Sequence, residues 1–477
     1  MLRVWGGGIY EQDVFYDLCD ELGLVIWQDS MYACAAYPTD EPEFFANGQA
    51  EAEENVKRLR HHACIGFYCG NNEVEMCGLV KDDIPFRMLW KDYKAFFDKM
   101  LAKVVRKLHP EISYIPSSQF SPTGDRRFSS NPACGDAHVW NVWHLKEPFE
   151  WYRTSLHRFC SEYGFQSFPE PRTLATIADP EDLNLTSRVM EHHQRSGIGN
   201  SLIMHYMLSW FRMPVGFEST VWLSQIQQGL AIKYAVEHWH RHMPRCMGSL
   251  YWQINDTWQG PTWASLDYFG RWKALHYMAK DFYTPLLVTG LEDMDAKTVE
   301  LHVSNTTAKA AEGTVQWTLT TAAGKTVREG KSTAKVPANR DTRVTTLKLA
   351  ANAKEHGAEN LILWLELLVG RKVVSRNVVL LVRPKHIELQ QPKLKAVVAK
   401  GKREGTFNVT LSAAKPAMWT WIELEGLDAR YSNNFVCVRP GLPITIELTP
   451  RDAMTLAEIR KLLKVTSLFD TYQERTN

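Results

Sequence analysis

Short apolar runs alternate with amphipathic helical runs through the first 285 residues of this 477-residue chain, and that rhythm points to a parallel sheet with helical crossovers. Residues 2–8 read as a strand entering a glycine-rich turn. A helix over 13–23 follows, with Asp as cap and Gly as stop, and then the strand Leu-Val-Ile-Trp-Gln-Asp at 24–29. The three glycines after Trp5 lack phosphate-loop spacing, so a tight turn is their expected use. A charged helix over 43–62 leads into 65–73, Ile-Gly-Phe-Tyr-Cys-Gly-Asn-Asn-Glu, where five apolar or small residues suit a strand covered on both faces before the chain turns polar. The alternation continues with a helix over 92–109, a strand over 112–119, a loop rich in Ser and Pro, a strand over 138–144, a helix over 148–156 and a strand over 159–166. Helices over 186–210 and 219–242 precede a last strand over 247–256. Seven strands result, one fewer than a closed barrel needs.

The expected fold is therefore α/β: residues 1–285 form a TIM (β/α)8 barrel lacking its first strand, which would precede Met1. Beyond Pro285 the pattern becomes period-two alternation of Val, Thr, Leu and Lys, broken by turns at Ala323-Gly324 and Glu425-Gly426. Two immunoglobulin-like β-sandwiches, over 286–385 and 386–477, fit that pattern, with a hinge near 384–392 and a short helix over 455–463. Thirteen of the 17 Trp precede Pro285, a density that suits a binding cleft in the first part.

A formal net charge of +1 supplies no single-sign field to recruit nucleic acid or an anionic membrane. No apolar run is long enough to span a bilayer. The nine Cys fall mostly inside apolar runs, as Cys19, Cys69 and Cys160 do, with no metal-binding spacing. Buried thiols are expected, which favours a cytoplasmic over an exported chain.

In a parallel barrel the carboxyl ends of the strands floor the active site. Glu73 and Glu162 each close a candidate strand, 89 residues or roughly three βα units apart, framed by Asn, Ser, Tyr or Gln. Asn71, Asn72 and Glu73 could instead simply cap the next turn. Two carboxylates across one cleft are what glycosidic hydrolysis requires: one protonates the leaving oxygen, and the other attacks or stabilises the cationic sugar carbon. Trp5, Trp27, Trp143 and Trp252 lie near strand ends, where indole faces could stack on sugar C–H faces. Asp29, His144 and Asn255 are placed to hold hydroxyls, with a satisfied structural role as the alternative for each.

Five ordered motifs carry a resemblance: Leu-Arg-Val-Trp-Gly-Gly-Gly-Ile-Tyr-Glu, Trp-Gln-Asp followed by Ala-Cys-Ala, Cys-Gly-Asn-Asn-Glu, Ser-Glu-Tyr-Gly-Phe-Gln-Ser, and Tyr-Trp-Gln-Ile-Asn-Asp-Thr-Trp with Tyr-Phe-Gly-Arg-Trp-Lys-Ala-Leu-His-Tyr. Together with Arg430-Tyr431-Ser432-Asn433-Asn434-Phe435 they resemble the β-mannosidases of glycoside hydrolase family 2. The resemblance implies that Glu73 is the general acid/base and Glu162 the nucleophile, with Asn72 at the sugar's 2-hydroxyl and Trp5 and Trp252 around the terminal mannose. It implies a retaining exo-enzyme acting on β-mannoside oligosaccharides or glycoconjugates, with no metal and no cofactor. Galactosidase, glucuronidase or glucosaminidase relatives and a non-catalytic carbohydrate-binding fragment are the alternatives. The chain departs from the family in beginning within the barrel and in having Val-Glu-Met-Cys-Gly-Leu after Glu73, where an aromatic residue is expected.

Overall fold

The computed structural model describes residues 1–82, 87–123, 126 and 130–473; parts of the loop expected between 119 and 138, and the last four residues of the terminal sandwich, lie outside these. The chain divides into two compact units. One contains Met1–Trp140, Ser155–Tyr163 and Arg245–Tyr251; the other contains Asn141–Thr154, Gly164–Pro244 and the rest of the chain from Trp252.

In the first unit, β1 (Leu2–Val4), β2 (Ile26–Asp29), β3 (Ile65–Cys69) and β4 (Ser113–Ile115) form a parallel sheet in chain order. A second parallel pair joins β5 (Ala137–His138) to β6 (Cys160–Glu162), and a parallel bridge from Cys160 to Ser249 extends it. The expected order of strands is present, but most are shorter than their apolar runs suggested.

The crossovers are α1 (Asp13–Leu22), α2 (Pro42–Leu59) and the helical run α3 (90–108), whose middle, Lys94–Leu101, widens into a π-helix. Gly23 ends α1 in the left-handed conformation (φ 66°) that an unsubstituted residue adopts without steric cost. Asp13, expected as the cap, is instead the first helical residue, where its charge complements the helix dipole. Buried positions in α2 fall at Gly48, Ala52, Val56 and Leu59, one stripe at helical spacing. That stripe packs with Tyr16 and Cys19 of α1, Phe96, Phe97 and Leu101 of α3, and Val4, Ile26 and Ile65 of the sheet. Truncating the fully buried Leu59 to Ala would cost about 2–5 kcal/mol.

Strand alternation then assigns the opposite face. Val4 and Ile26 go to the helices, so Arg3, Trp27 and Phe67, which are neighbours in register across β1, β2 and β3, go to the other side.

Two expected strands are corrected. The run 138–144 leaves the sheet at His138 and becomes a helical turn, Asn141–Leu145, because Val139, Trp140, Val142 and Trp143 satisfy helical spacing as well as they satisfy a strand's. The run 247–256 contributes only the Ser249 bridge. Past Tyr251 its backbone pairs locally, Gln253 N–H donating to Trp263 O at 3.2 Å and Ser265 N–H to Gln253 O at 3.0 Å.

The second unit contains the helices α4 (Gly199–Trp210), α5 (Phe217–Arg241) and α6 (Ala274–Phe282), followed by two antiparallel sandwiches. The expected helix over 186–210 is broken into Arg188–His193 and α4, and the one over 148–156 is a 3₁₀ segment, Phe149–Thr154. The first sandwich spans 286–380, with sheets of four and three strands closing on Val288, Val315, Leu319, Leu363 and Leu365. The second spans 395–466, with its core at Val409, Leu411, Ile422 and Ile446. The short terminal helix is present as Leu456–Leu462, started by a capping box between Thr455 and Glu458.

Candidate functional site

Arg3 organises the carboxyl ends of the strands in the first unit. Its guanidinium is buried and donates to acceptors from three strand ends: Nη2 to Asp29 Oδ2 and to Asn72 Oδ1, each at 2.8 Å, and Nη1 to Glu162 Oε1 at 2.8 Å. Its carbon lies 4.9 Å from the Trp27 ring. Burial works against its charge, but Asp29 and Glu162 outweigh burial and raise its pKa. Removing one partner from such a buried set leaves an uncompensated charge, a loss of about 3–5 kcal/mol.

Glu73 arrives through a strained turn. Asn71, fully buried, accepts from Ser117 Oγ (2.8 Å) and Val74 N–H (3.2 Å) and donates to Pro116 O (2.8 Å), pinning the chain just past β3. The next two residues swing the backbone until Glu73 has φ 59°, a left-handed conformation that a non-glycine residue holds only where its surroundings impose it. A parallel bridge between Asn72 and Ser118 and a 2.6 Å bond from Glu73 N–H to Ser118 O fix the result.

His138, at the end of β5, lies between the two glutamates. Its Nδ1 is 2.5 Å from Glu73 Oε1 and 3.4 Å from Glu162 Oε2. Oxygens of the two carboxylates lie within 4.8 Å of each other. Ser118 Oγ donates its one proton to Asp136 Oδ2 (2.8 Å) and so accepts from His138 Nε2–H at 2.9 Å. Asp136 also accepts from Ser161 Oγ at 2.5 Å and Phe120 N–H at 2.7 Å. With Nε2 committed as a donor, the contact at Nδ1 contains one proton shared between imidazole and carboxyl.

Charge sets where that proton rests. Burial disfavours the charged His138 ring, yet Glu162 and Glu73 outweigh it and raise its pKa. Burial also pushes Glu73 up, but the His138 hydrogen bond and charge overcome it and hold Glu73 below its ordinary value. For Glu162 burial prevails over the pull of His138 and Arg3, so its pKa is raised. Between His138 and Glu73 these opposite shifts favour the proton on the imidazole, which lies within reach of either carboxylate.

Of the residues singled out in the sequence, Glu73, Glu162, Asn72 and Asp29 are brought together. Asn72 is buried, its Oδ1 taken by Arg3 and its Nδ2 donating to Cys34 Sγ at 3.4 Å. Asp29 is corrected: fully buried, it gives both oxygens to Arg3, Gly6 N–H (3.0 Å) and Trp27 Nε1–H (2.8 Å), so it anchors the arginine and not a ligand hydroxyl. Trp5 is half-buried beside the glycine turn, where a Cβ on Gly7 would strike its ring at 1.9 Å; the turn is tight, as expected. Trp143 is also corrected, being fully buried in the second unit against Phe165 and Trp263. His144 is exposed and Trp252 half-buried, both in that same unit. Sequence reasoning missed Arg3, Asp136 and His138. A charge inside the apolar run Leu-Arg-Val was the available signal for Arg3, and the Asp-x-His spacing, which puts both side chains on one face, was the signal for the other two.

Residues 297–386 match the family described as "Mannosidase Ig/CBM-like domain", and residues 389–471 match "Ig-fold domain". The chain is 30% identical to the β-mannosidase of Mus musculus across 99% of its own length and 56% of that protein's. It is 38% identical to the Capra hircus β-mannosidase over 62% of this chain and 36% of the relative. The crystal structure of the Dictyoglomus thermophilum β-D-mannosidase superposes with a TM-score of 0.87 at 30% identity, covering 98% of this chain and 56% of that one. An exo-chitosanase of Amycolatopsis orientalis shares the fold, with a TM-score of 0.74 at 16% identity over 98% of this chain and 59% of the other. The chain thus spans about half the length of the relatives it matches along its whole extent.

Proposed function

The chain belongs to the β-mannosidases of glycoside hydrolase family 2, and on that premise we propose that it hydrolyses terminal non-reducing β-D-mannose residues from oligosaccharides or glycoconjugates with retention of configuration. The observation that carries this reading is the approach of the Glu73 and Glu162 carboxylates to within 4.8 Å around one imidazole. A double displacement works across about 5–5.5 Å between carboxyl groups, whereas a direct displacement by water needs about 6.5–9.5 Å. The seven parallel segments fit a (β/α)8-type barrel seen without one strand, with the site at its carboxyl end.

In this reading the proton on His138 Nδ1 moves to Glu73, leaving a neutral imidazole, a protonated Glu73 and an anionic Glu162 held by Arg3. Glu73 gives its proton to the glycosidic oxygen while a Glu162 oxygen bonds to the anomeric carbon, and the leaving alcohol departs with the electrons of the broken C–O bond. Glu73, now a carboxylate, takes a proton from the water that attacks the same carbon, and Glu162 is released. Asn72, fixed by Arg3, is in this reading the residue that meets the sugar's 2-hydroxyl.

Hydrolysis of a panel of 4-nitrophenyl β-glycosides tests the substrate. Preference for the β-mannoside is expected; faster turnover of the β-galactoside, β-glucuronide or β-glucosaminide would replace mannose with that sugar.

A further inference from the structure

Glu73 is forked: Oε1 meets His138, while Oε2 faces two thiols, Cys34 Sγ at 3.6 Å and Cys77 Sγ at 3.9 Å. The two sulfurs and the carboxylate oxygen all lie within 4.8 Å of one another. Cys34 comes from the segment after β2, tied there by its N–H to Asn72 O (3.0 Å) and by the amide of Asn72 at its sulfur. Cys77 stands one turn past Glu73, its N–H donating to Glu73 O at 2.9 Å. Both cysteines are exposed, whereas Cys19, Cys64, Cys69, Cys160 and Cys246 are buried.

Two sulfurs and one carboxylate oxygen in a compact, open triangle are a recognisable donor set. A tetrahedral zinc ion with Zn–S of about 2.3 Å and Zn–O of about 2.0–2.2 Å sets S···O edges of roughly 3.5 Å. The observed edges of 3.6 and 3.9 Å need only a small side-chain movement to match. We infer that Cys34, Cys77 and Glu73 Oε2 form a binding site for one soft divalent cation, Zn²⁺ or Cd²⁺, with the fourth coordination position open to solvent. Thiolate donors select such ions over Mg²⁺ or Ca²⁺. Any thiol proton is lost to solvent on binding. Spacing alone does not reveal the site, because its two sulfurs are 43 residues apart and meet only when β2 and β3 lie side by side.

Binding at this site is distinct from the proposed hydrolysis, and its effect on turnover rests on that reading. A cation bound at Oε2 disfavours protonation of the same carboxylate at Oε1, where His138 delivers the proton in that reading, so the same ion inhibits hydrolysis.

The test titrates the reduced full chain with Cd²⁺, following the cadmium–thiolate charge-transfer absorption and the heat of binding. One equivalent is expected to bind. Because loss of even an outer contact weakens metal sites by 10- to 100-fold, Cys34→Ser and Cys77→Ser are each expected to weaken binding by about a hundredfold. Cys134→Ser, outside the cluster, is expected to change nothing. Cd²⁺ should also protect Cys34 and Cys77 of the unsubstituted protein from iodoacetamide, as read by peptide mass spectrometry, which requires no variant to fold. A Cys34→Ser/Cys77→Ser protein that binds Cd²⁺ as tightly as the parent, or alkylation of both cysteines undiminished by Cd²⁺, would overturn the site. These readouts do not depend on turnover; zinc inhibition of β-mannoside hydrolysis, reversed by a chelator and absent in Cys77→Ser, is the separate arm that links site to activity.

Discussion

Two ionic clusters in this molecule look alike as lists of charged residues and differ in how their charges are matched. In the second unit, Arg172 and Arg271 reach Asp428 at 2.7 and 2.8 Å, and Arg172 reaches Glu170 at 2.9 Å, with Arg451 at 3.7 Å on the rim. Guanidiniums there at least equal carboxylates, and each bond has an unambiguous donor. At the strand ends of the first unit three carboxylates, those of Asp29, Glu73 and Glu162, meet one guanidinium and one imidazole, and a fourth, Asp136, reaches the imidazole through Ser118 Oγ. Negative charge is in excess, and one proton has more than one place to go. Matched clusters fasten structure; a buried cluster short of cations holds a proton ready for chemistry.

The largest effect is expected in the unmatched cluster, at Glu162. Glu162→Gln removes the oxygen proposed to attack and should lower kcat on the order of 10⁴-fold or more on every β-mannoside tried. A loss confined to tenfold would mean that the attacking group is elsewhere. Glu73→Gln should cost about 10²–10⁴-fold on substrates whose leaving alcohol needs a proton, and much less on a 2,4-dinitrophenyl mannoside, which needs none. Equal losses on both substrates would remove the acid role.

His138→Gln sharpens the point about the shared proton. A raised His138 keeps its proton above its ordinary pKa of about 6.5, so activity should persist past that pH and fall on the basic side. The variant should lose on the order of 10²-fold in kcat at neutral pH, and its remaining basic limb, set by Glu73 alone, should move. An unmoved limb with lowered kcat would reduce His138 to a packing role.

The smallest effect belongs to the matched cluster. Burial raises the Asp428 pKa, but Arg271 and Arg172 overcome this and depress it, so its contribution to stability is present above the unfolded value of about 3.9 and is lost as pH falls through the folded one. Asp428→Asn should therefore cost about 1 kcal/mol near neutral pH, read by denaturant melts, and the difference should vanish in acid. Turnover should be unchanged; a large drop in kcat would erase the distinction between the two clusters.

Much of this was legible in the sequence, for identifiable reasons. The parallel order followed from apolar runs between helical ones, and Glu73 and Glu162 were visible because each ends such a run. What escaped was whatever depends on neighbours. Arg3 sits mid-strand and becomes functional only because β2, β3 and β6 bring Asp29, Asn72 and Glu162 to it. Asp29 sits at a strand end as a ligand-holding residue would, and only its bonds to Arg3, Gly6 and Trp27 show an anchor. Trp143 illustrates the same limit: local spacing cannot separate a stacking platform from a core residue, and its contacts with Phe165 and Trp263 decide.

In the proposed mechanism Glu162 bonds to the sugar while Glu73 manages the proton. Incubation with 2-deoxy-2-fluoro-β-D-mannosyl fluoride, then proteolysis and tandem mass spectrometry, addresses it directly. A fluoromannosyl ester on Glu162 is the predicted result. An ester on Glu73, or steady turnover of the reagent with no covalent adduct, would rule out Glu162 as the nucleophile.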